Sequence, residues 1–141
     1  MANPAPDSIF TKIIKGGIPC HRVFENEHVL AFLDITPLSE GHTLVIPKRQ
    51  VERLEDLPAD DAIEIARQLG PLARRIQAAT GAAGYNILLN TGVVAGQEVP
   101  HVHFHIIPRR PDDGLGYRWK ARPADQDALA QLAGRINATA G

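Results

Sequence analysis

His101, His103 and His105 stand at alternate positions in His101-Val102-His103-Phe104-His105-Ile106-Ile107-Pro108 and make up half of the chain's six histidines. Imidazole changes protonation near neutral pH, attacks as a nucleophile when neutral, and ligates metals. Such a row admits three chemistries: a polar strand face that happens to hold histidines, a metal centre, or a site for an anionic group such as phosphate with one ring as nucleophile or acid–base. Val102, Phe104 and Ile106 fill the alternate positions, and this period-two pattern of β-branched and aromatic residues predicts a strand. Its apolar residues then face the core and its histidines the other side, with same-face neighbours about 6.5–7 Å apart. Pro108 cannot donate to a central ladder, so the strand is expected to end near it.

The elements that must hold this row are patterned on either side of it. Ser8 is placed to cap a short helix running through Lys15, with Gly16-Gly17 as its stop. Ile9, Phe10, Ile13 and Ile14 make one face of that helix; Ile14 reads as a docking residue, and the other three could also wall a pocket. His21 to Glu25 and Val29 to Leu33 read as strands joined by a turn at Asn26-Glu27. Asp34 to Gly41 is rich in turn residues. Thr43 to Pro47 is a third strand with His42 at its mouth. Val51 to Leu57 is a short connector with room for one helical turn.

Pro58-Ala59-Asp60-Asp61 starts a helix. Its stripe is Ala62, Ile65, Ala66, Leu69, Leu72, Ala73 and Ile76. Pro71 is expected to kink or split this helix, and Gly81 and Gly84 close it. Tyr85 to Asn90 is a fourth strand, joined to the histidine strand by the Gly-bearing loop from Thr91 to Glu98. Those two strands should pair antiparallel, bringing Asn90 and Gly96-Gln97 to one end of the histidine row. Pro123 to Ile136 predicts a C-terminal helix with a stripe at Leu129, Leu132 and Ile136, which packs on its own sheet or on a second subunit. The order β-β-β-α-β-β with short links predicts an α+β fold with a mainly antiparallel sheet. The expected organisation is a flexible lead-in over 1–7, a core over 8–110, and a loop and helix over 111–141.

The 141 residues suit one domain with a single core. A hydrophobic content of 44%, a charged content of 22% and a net charge of −1 are those of an ordinary globular protein without the basic footprint of a nucleic-acid binder. The lone Cys20 permits no internal disulfide, fits an intracellular, cytoplasmic location, and reads as a small apolar filler. The N-terminus lacks a secretory pattern and no apolar run approaches membrane-spanning length, so no membrane partner is expected.

The His-φ-His-φ-His-φ-φ pattern at 101–107, where φ is apolar, resembles the signature of the histidine triad (HIT) superfamily of nucleotide hydrolases and transferases. Ser8 to Ile14, Leu30 to Pro37, Gly41 to Lys48, and Asn90 through Gly96-Gln97 are similar to the family's other blocks, in order. The resemblance runs from about Ser8 to Arg109. It implies a HIT-like fold with a five-stranded sheet, a homodimer, and binding of a nucleoside monophosphate unit, usually purine. The reaction implied is cleavage at the α-phosphorus through a nucleotidyl-histidine. The bond is a phosphoramidate in the Hint-like branch, which the chain resembles more, and an anhydride in the fragile-histidine-triad branch.

By this resemblance His103 is the nucleophile, His101 orients it, His105 contacts phosphate oxygens, and His42 completes the network. Asn90, Gly96, Gln97, Glu98 and Val99 fall on the phosphate-binding stretch. Asp34 accepts from ribose hydroxyls, and Ile9, Phe10, Ile13, Phe32, Leu33 and Ile35 line the slot for base and sugar. No metal or cofactor is implied for the reaction.

Two departures stand out. Some bacterial members hold a structural zinc through cysteines and a histidine whose positions match Ser8, Thr11 and Gln50, so that site is expected to be absent. Glu98 stands where Hint-like members often have a serine donor; a carboxylate cannot donate and repels phosphate. A dinucleoside polyphosphate hydrolase, a non-catalytic nucleotide-binding module and a His-ligated metalloenzyme are the other readings.

Overall fold

A computed structural model describes residues 3–116, 119–139 and 141. The chain forms helix α1 (Ile9–Ile14), strands β1 (Arg22–Glu25), β2 (Val29–Leu33) and β3 (Thr43–Pro47), helix α2 (Ala59–Thr80), strands β4 (Gly84–Leu89) and β5 (Phe104–Arg109), and helix α3 (Gln126–Ala138). Single 3₁₀ turns at Leu54–Asp56 and Val93–Ala95 complete it. The five strands make one sheet in the order β1-β2-β3-β5-β4, every pairing antiparallel. This is the α+β arrangement that the strand and helix patterns predict.

The pleat sorts the core into two faces. Val29, Ala31, Val45, Val102 and Ile106 pack with Leu57, Ile65, Leu72, Ala73 and Ile76, which places α2 on one side of the sheet. Leu30, Phe32, Leu44 and Ile46 point the other way and pack with Phe10 of α1. Register lines up Phe32, Leu44 and His105 as neighbours across β2, β3 and β5. The histidine side of β5 is therefore the α1 face, while Phe104 packs towards α2.

Three expectations about the elements are corrected. The histidine strand begins at Phe104, not His101, because pairing with β3 starts at Val45↔Phe104. His101 and Val102 instead bond locally and to the connector, His101 N–H to the Val99 carbonyl and Val102 N–H to the Val51 carbonyl. The strand does end beside Pro108, at Arg109; Pro108 itself lies opposite Tyr85, where the β3 pairing has already ended at Thr43↔Ile106. The long helix passes through Pro71 without a break. One lost backbone bond is outweighed there by burial of Leu72, Ala73 and Ile76 directly after it. The C-terminal helix starts later than Pro123, at Gln126 behind the Asp125 cap, and buries none of its residues.

Candidate active site

Two backbone devices bring His42 to the triad. Asp34 N–H donates to the His42 carbonyl, closing the loop between β2 and β3. Gly41, at φ +91°, turns the chain where a Cβ would lie 2.8 Å from the Thr80 methyl. His42 is then buried, with its Nδ1 accepting from Leu38 N–H at 3.1 Å.

Hydrogen bonds fix the protonated nitrogen of each ring. A backbone carbonyl only accepts and a backbone N–H only donates. His101 Nε2 lies 2.8 Å from the Pro47 carbonyl, so it carries the proton, and His101 Nδ1 accepts from the Ser8 hydroxyl at 2.7 Å. His103 Nδ1 lies 2.7 Å from the His101 carbonyl and donates to it, leaving the lone pair on Nε2. His42 Nδ1 is occupied as an acceptor, so its Nε2 donates to His105 Nδ1 at 2.9 Å. A neutral His105 therefore carries its proton on Nε2. That nitrogen is sealed from solvent and has no partner. His103 Nε2 also lacks a partner among the described residues but is not sealed. The His103 and His105 ring centroids are 5.0 Å apart, so the ring with an available lone pair and the ring with an unpaired N–H are neighbours.

Burial disfavours the charged form of His101, His42 and His105. It depresses the pKa of His101, with the charge of His103 adding to the effect and the Pro47 carbonyl opposing it. It depresses His42 as well, against the opposing pull of Asp34. His105 is pushed down to about 4, chiefly by burial and then by His103 and His42.

Not every residue expected at the site faces it in the same way. Phe10 sits edge-on to His103 and His101, with ring centroids 5.0 and 5.7 Å away, and to Phe32 at 5.7 Å. Ile13 packs beside them, whereas Ile9 and Ile35 are exposed. Asp34 places Oδ2 3.7 Å from His42 Nε2, while its Oδ1 accepts from Thr36 N–H and Oγ1. Leu33 projects from β2 to the α2 face and lines a groove with Leu72 and Ile76, so it does not share a face with Phe32.

The loop after β4 gathers Asn90, Gly96, Gln97, Glu98 and Val99, but several of their donors are already used. Gln97 is buried; its Oε1 accepts from Gly92 N–H and its Nε2 donates to the carbonyls of Glu52 and Val99. Gly96 and Gln97 N–H groups donate to Val93 and Gly92 carbonyls. The side-chain amide of Asn90 reaches the Gly96 carbonyl only at 3.5 Å. The backbone N–H groups of Glu98 and Val99 have no partner among the described residues. The Glu98 carboxylate is exposed.

Two arrangements bear on metals. Asp34, His42 and His105 present ligand atoms within 4.8 Å of one another, but the 2.9 Å separation of the two imidazole nitrogens is a hydrogen bond that uses the His105 Nδ1 lone pair. Ser8, Thr11 and Gln50 do converge, as two hydroxyls and a carboxamide bonded to one another. Gln50 Oε1 accepts from Ser8 N–H and Thr11 Oγ1, and Gln50 Nε2 donates to the Pro6 carbonyl. Saturated oxygen donors of this kind do not fit a structural zinc, which takes thiolate and imidazole.

Sequence reasoning did not find the Ser8 hydroxyl, the Pro47 carbonyl or the Leu38 N–H as partners of the histidines. Only the Ser8 side chain carried a signal, as a cap.

Comparison with known proteins agrees with this architecture. Residues 15–112 match the HIT domain family model. The adenosine 5'-monophosphoramidase hnt1 of Schizosaccharomyces pombe is 42% identical over 130 residues, 92% of this chain and 95% of that one. The protein hit of Bacillus subtilis is 45% identical over 122 residues, 86% of this chain and 84% of that one. The crystal structure of a HIT family member from Bacillus subtilis superposes with a TM-score of 0.90 at 40% identity, covering 96% of this chain and 99% of that one. The chain belongs to the HIT family.

Proposed function

We propose that this protein is a nucleotide hydrolase or nucleotidyltransferase that cleaves a bond to the α-phosphorus of a purine nucleoside monophosphate derivative, a phosphoramidate above others. One observation carries the reading: His103, with its Nε2 lone pair free, is the ring neighbour of His105, whose Nε2–H has no partner. An anion that enters at His103 and displaces the cover over His105 Nε2 supplies the partner that His105 lacks and meets the nucleophile at the same time.

In the first step His103 Nε2 bonds to the α-phosphorus. The bond to the leaving amine breaks, and the amine takes a proton from solvent. Water then attacks the nucleotidyl-histidine and loses a proton, and the phosphorus–nitrogen bond to His103 breaks. His105 Nε2–H steadies the phosphoryl oxygens in both steps. His101 orients His103 through its carbonyl, and His42 holds the His105 tautomer. Asn90 and the Glu98 and Val99 N–H groups are the remaining phosphate donors, so Glu98 contributes backbone and its carboxylate stays outside. Gly96 and Gln97 shape the loop. Asp34 accepts from the ribose, and Ile9, Phe10, Ile13, Phe32 and Ile35 border the nucleoside. No metal or cofactor takes part, and the Ser8–Thr11–Gln50 cluster stands without zinc.

The working form in this reading is a cytoplasmic homodimer. Leu129, Leu132 and Ile136 form an exposed stripe on α3, while Tyr85 and Ile87 are exposed on β4 at the sheet edge. A second copy is the partner that would cover both, and sedimentation at micromolar concentration tests it: a dimer mass is expected, a monomer mass contradicts it. The chemistry is tested by assaying wild type and His103→Ala against an adenosine phosphoramidate. Hydrolysis by the wild type and its loss in the variant are expected; equal rates contradict the assignment.

A further inference from the structure

The N-cap residue of α1 is bonded into the triad. Ser8 is buried, its hydroxyl accepts from Thr11 N–H at 3.0 Å, and it lies 2.7 Å from His101 Nδ1. The direction of that last bond is forced. His101 Nε2 donates to the Pro47 carbonyl, so the neutral ring offers only a lone pair at Nδ1, and the Ser8 hydrogen is the one that fills it. Thr11 Oγ1, which donates to Gln50, is the other acceptor within reach of the Ser8 hydrogen, at 3.2 Å, and the 2.7 Å contact to His101 Nδ1 is the shorter of the two. His101 is fully buried and held at both nitrogens, and its carbonyl is the acceptor that sets the His103 tautomer.

We propose that Ser8 is a positioning residue for the nucleophile: its hydroxyl locks His101 in the neutral Nε2–H form and so holds His103 with its lone pair on Nε2. The catalytic part of this inference rests on the nucleotidyl-histidine reading above. A bond donated to the imidazole lone pair favours the neutral ring, so losing it raises the His101 pKa. An imidazolium there sets a positive charge against His103, the titratable group that acts on His101. The other groups packed on the ring, Phe10 and the Pro47 carbonyl, do not titrate.

The test uses the full chain with Ser8→Gly, Ser8→Thr and Ile14→Ala. Glycine is nearly neutral at an N-cap, so the first change removes the hydroxyl with little loss of helix. Threonine restores it. Ile14→Ala loosens the same helix, since Ile14 packs on the Phe10 cluster, without touching the Ser8–His101 bond. Ser8→Gly is expected to lower kcat for an adenosine phosphoramidate about 10-fold or more with KM changed less than about threefold. It should also move the acid limb of the rate profile upward by about half to one pH unit, the shift one neutral hydrogen bond supports. Ser8→Thr is expected to recover the rate and the profile, and Ile14→Ala to keep the wild-type profile. Nitrogen-15 NMR of the imidazoles should show His101 as the Nε2–H form in wild type, with its pKa raised in Ser8→Gly. A Ser8→Gly enzyme with the wild-type profile and His101 pKa, or an Ile14→Ala enzyme with the same shift, overturns the proposal. If wild type hydrolyses no nucleotide substrate, the functional reading fails while the NMR comparison still decides the role of Ser8.

Discussion

Lowering the pH from 7 towards 4 should destabilise this protein before its carboxylates protonate, because three histidines are buried neutral. In the unfolded chain each titrates near 6.5, whereas in the fold His105 titrates at about 4 and His42 and His101 are also depressed. Between those values the unfolded state binds protons that the folded state refuses, so stability falls as the pH drops through the interval and is unaffected above it. For His105 alone the interval is worth up to roughly 3 kcal/mol at about 1.4 kcal/mol per unit, a large share of a domain's stability. His42 and His101 add in the same direction. Asp113 acts in the same direction at lower pH: Arg109 holds its carboxyl well below the ordinary carboxylate range, so its contribution is lost only as the pH falls below about 3.8. Urea unfolding at half-unit steps from pH 8 to 4 measures the curve for wild type and His105→Gln. The wild-type free energy should be flat from 8 to about 7 and fall below 6.5, and the variant should lose much of that slope. A wild-type curve flat to pH 4.5, or an equal slope in the variant, refutes burial of neutral His105.

Three substitutions probe other joints. His105→Ala removes the unpaired donor and should cost about 10²–10³ in kcat on an adenosine phosphoramidate, with His105→Gln recovering part of it by steady-state assay. Pro71→Ala restores a donor at an exposed position inside α2 and should stabilise the fold by roughly 1–3 kcal/mol in denaturant unfolding. Gly41→Ala forces a Cβ into Thr80, Ile76 and Pro108 at a left-handed φ; it should lower the thermal midpoint and, by displacing His42, reduce activity.

Much of this was legible from local pattern. Alternation at 101–107 placed the histidines and Val102, Phe104 and Ile106 on opposite sides, and they lie there, His105 with Phe104 and Ile106 through the pleat of β5 and His101 and Val102 just ahead of it. The strand's true start at Phe104 was not legible, because it depends on where β3, some sixty residues earlier, begins to pair. Ser8 was readable as a cap but not as a partner of His101, a contact 93 residues away in sequence. Gln97 sits in the expected loop, yet only the folded chain reveals that its amide braces Gly92, Glu52 and Val99. Leu33 could have been placed correctly beforehand: it follows Phe32 on one strand, and adjacent strand residues cannot share a face. The site's roles came through resemblance, since spacing alone does not rank three equivalent histidines. The hydrogen bonds to Pro47, His101 and Leu38 are what make those rings unequal.

The central claim is that His103 Nε2 attacks phosphorus. Rapid mixing of the enzyme with an adenosine phosphoramidate, quenching under conditions that preserve phosphoramidates, and peptide mass mapping test it most directly. The account predicts a transient adenylyl adduct on His103 in wild type and none in His103→Ala. Turnover without an adduct, or an adduct on another residue, would contradict it.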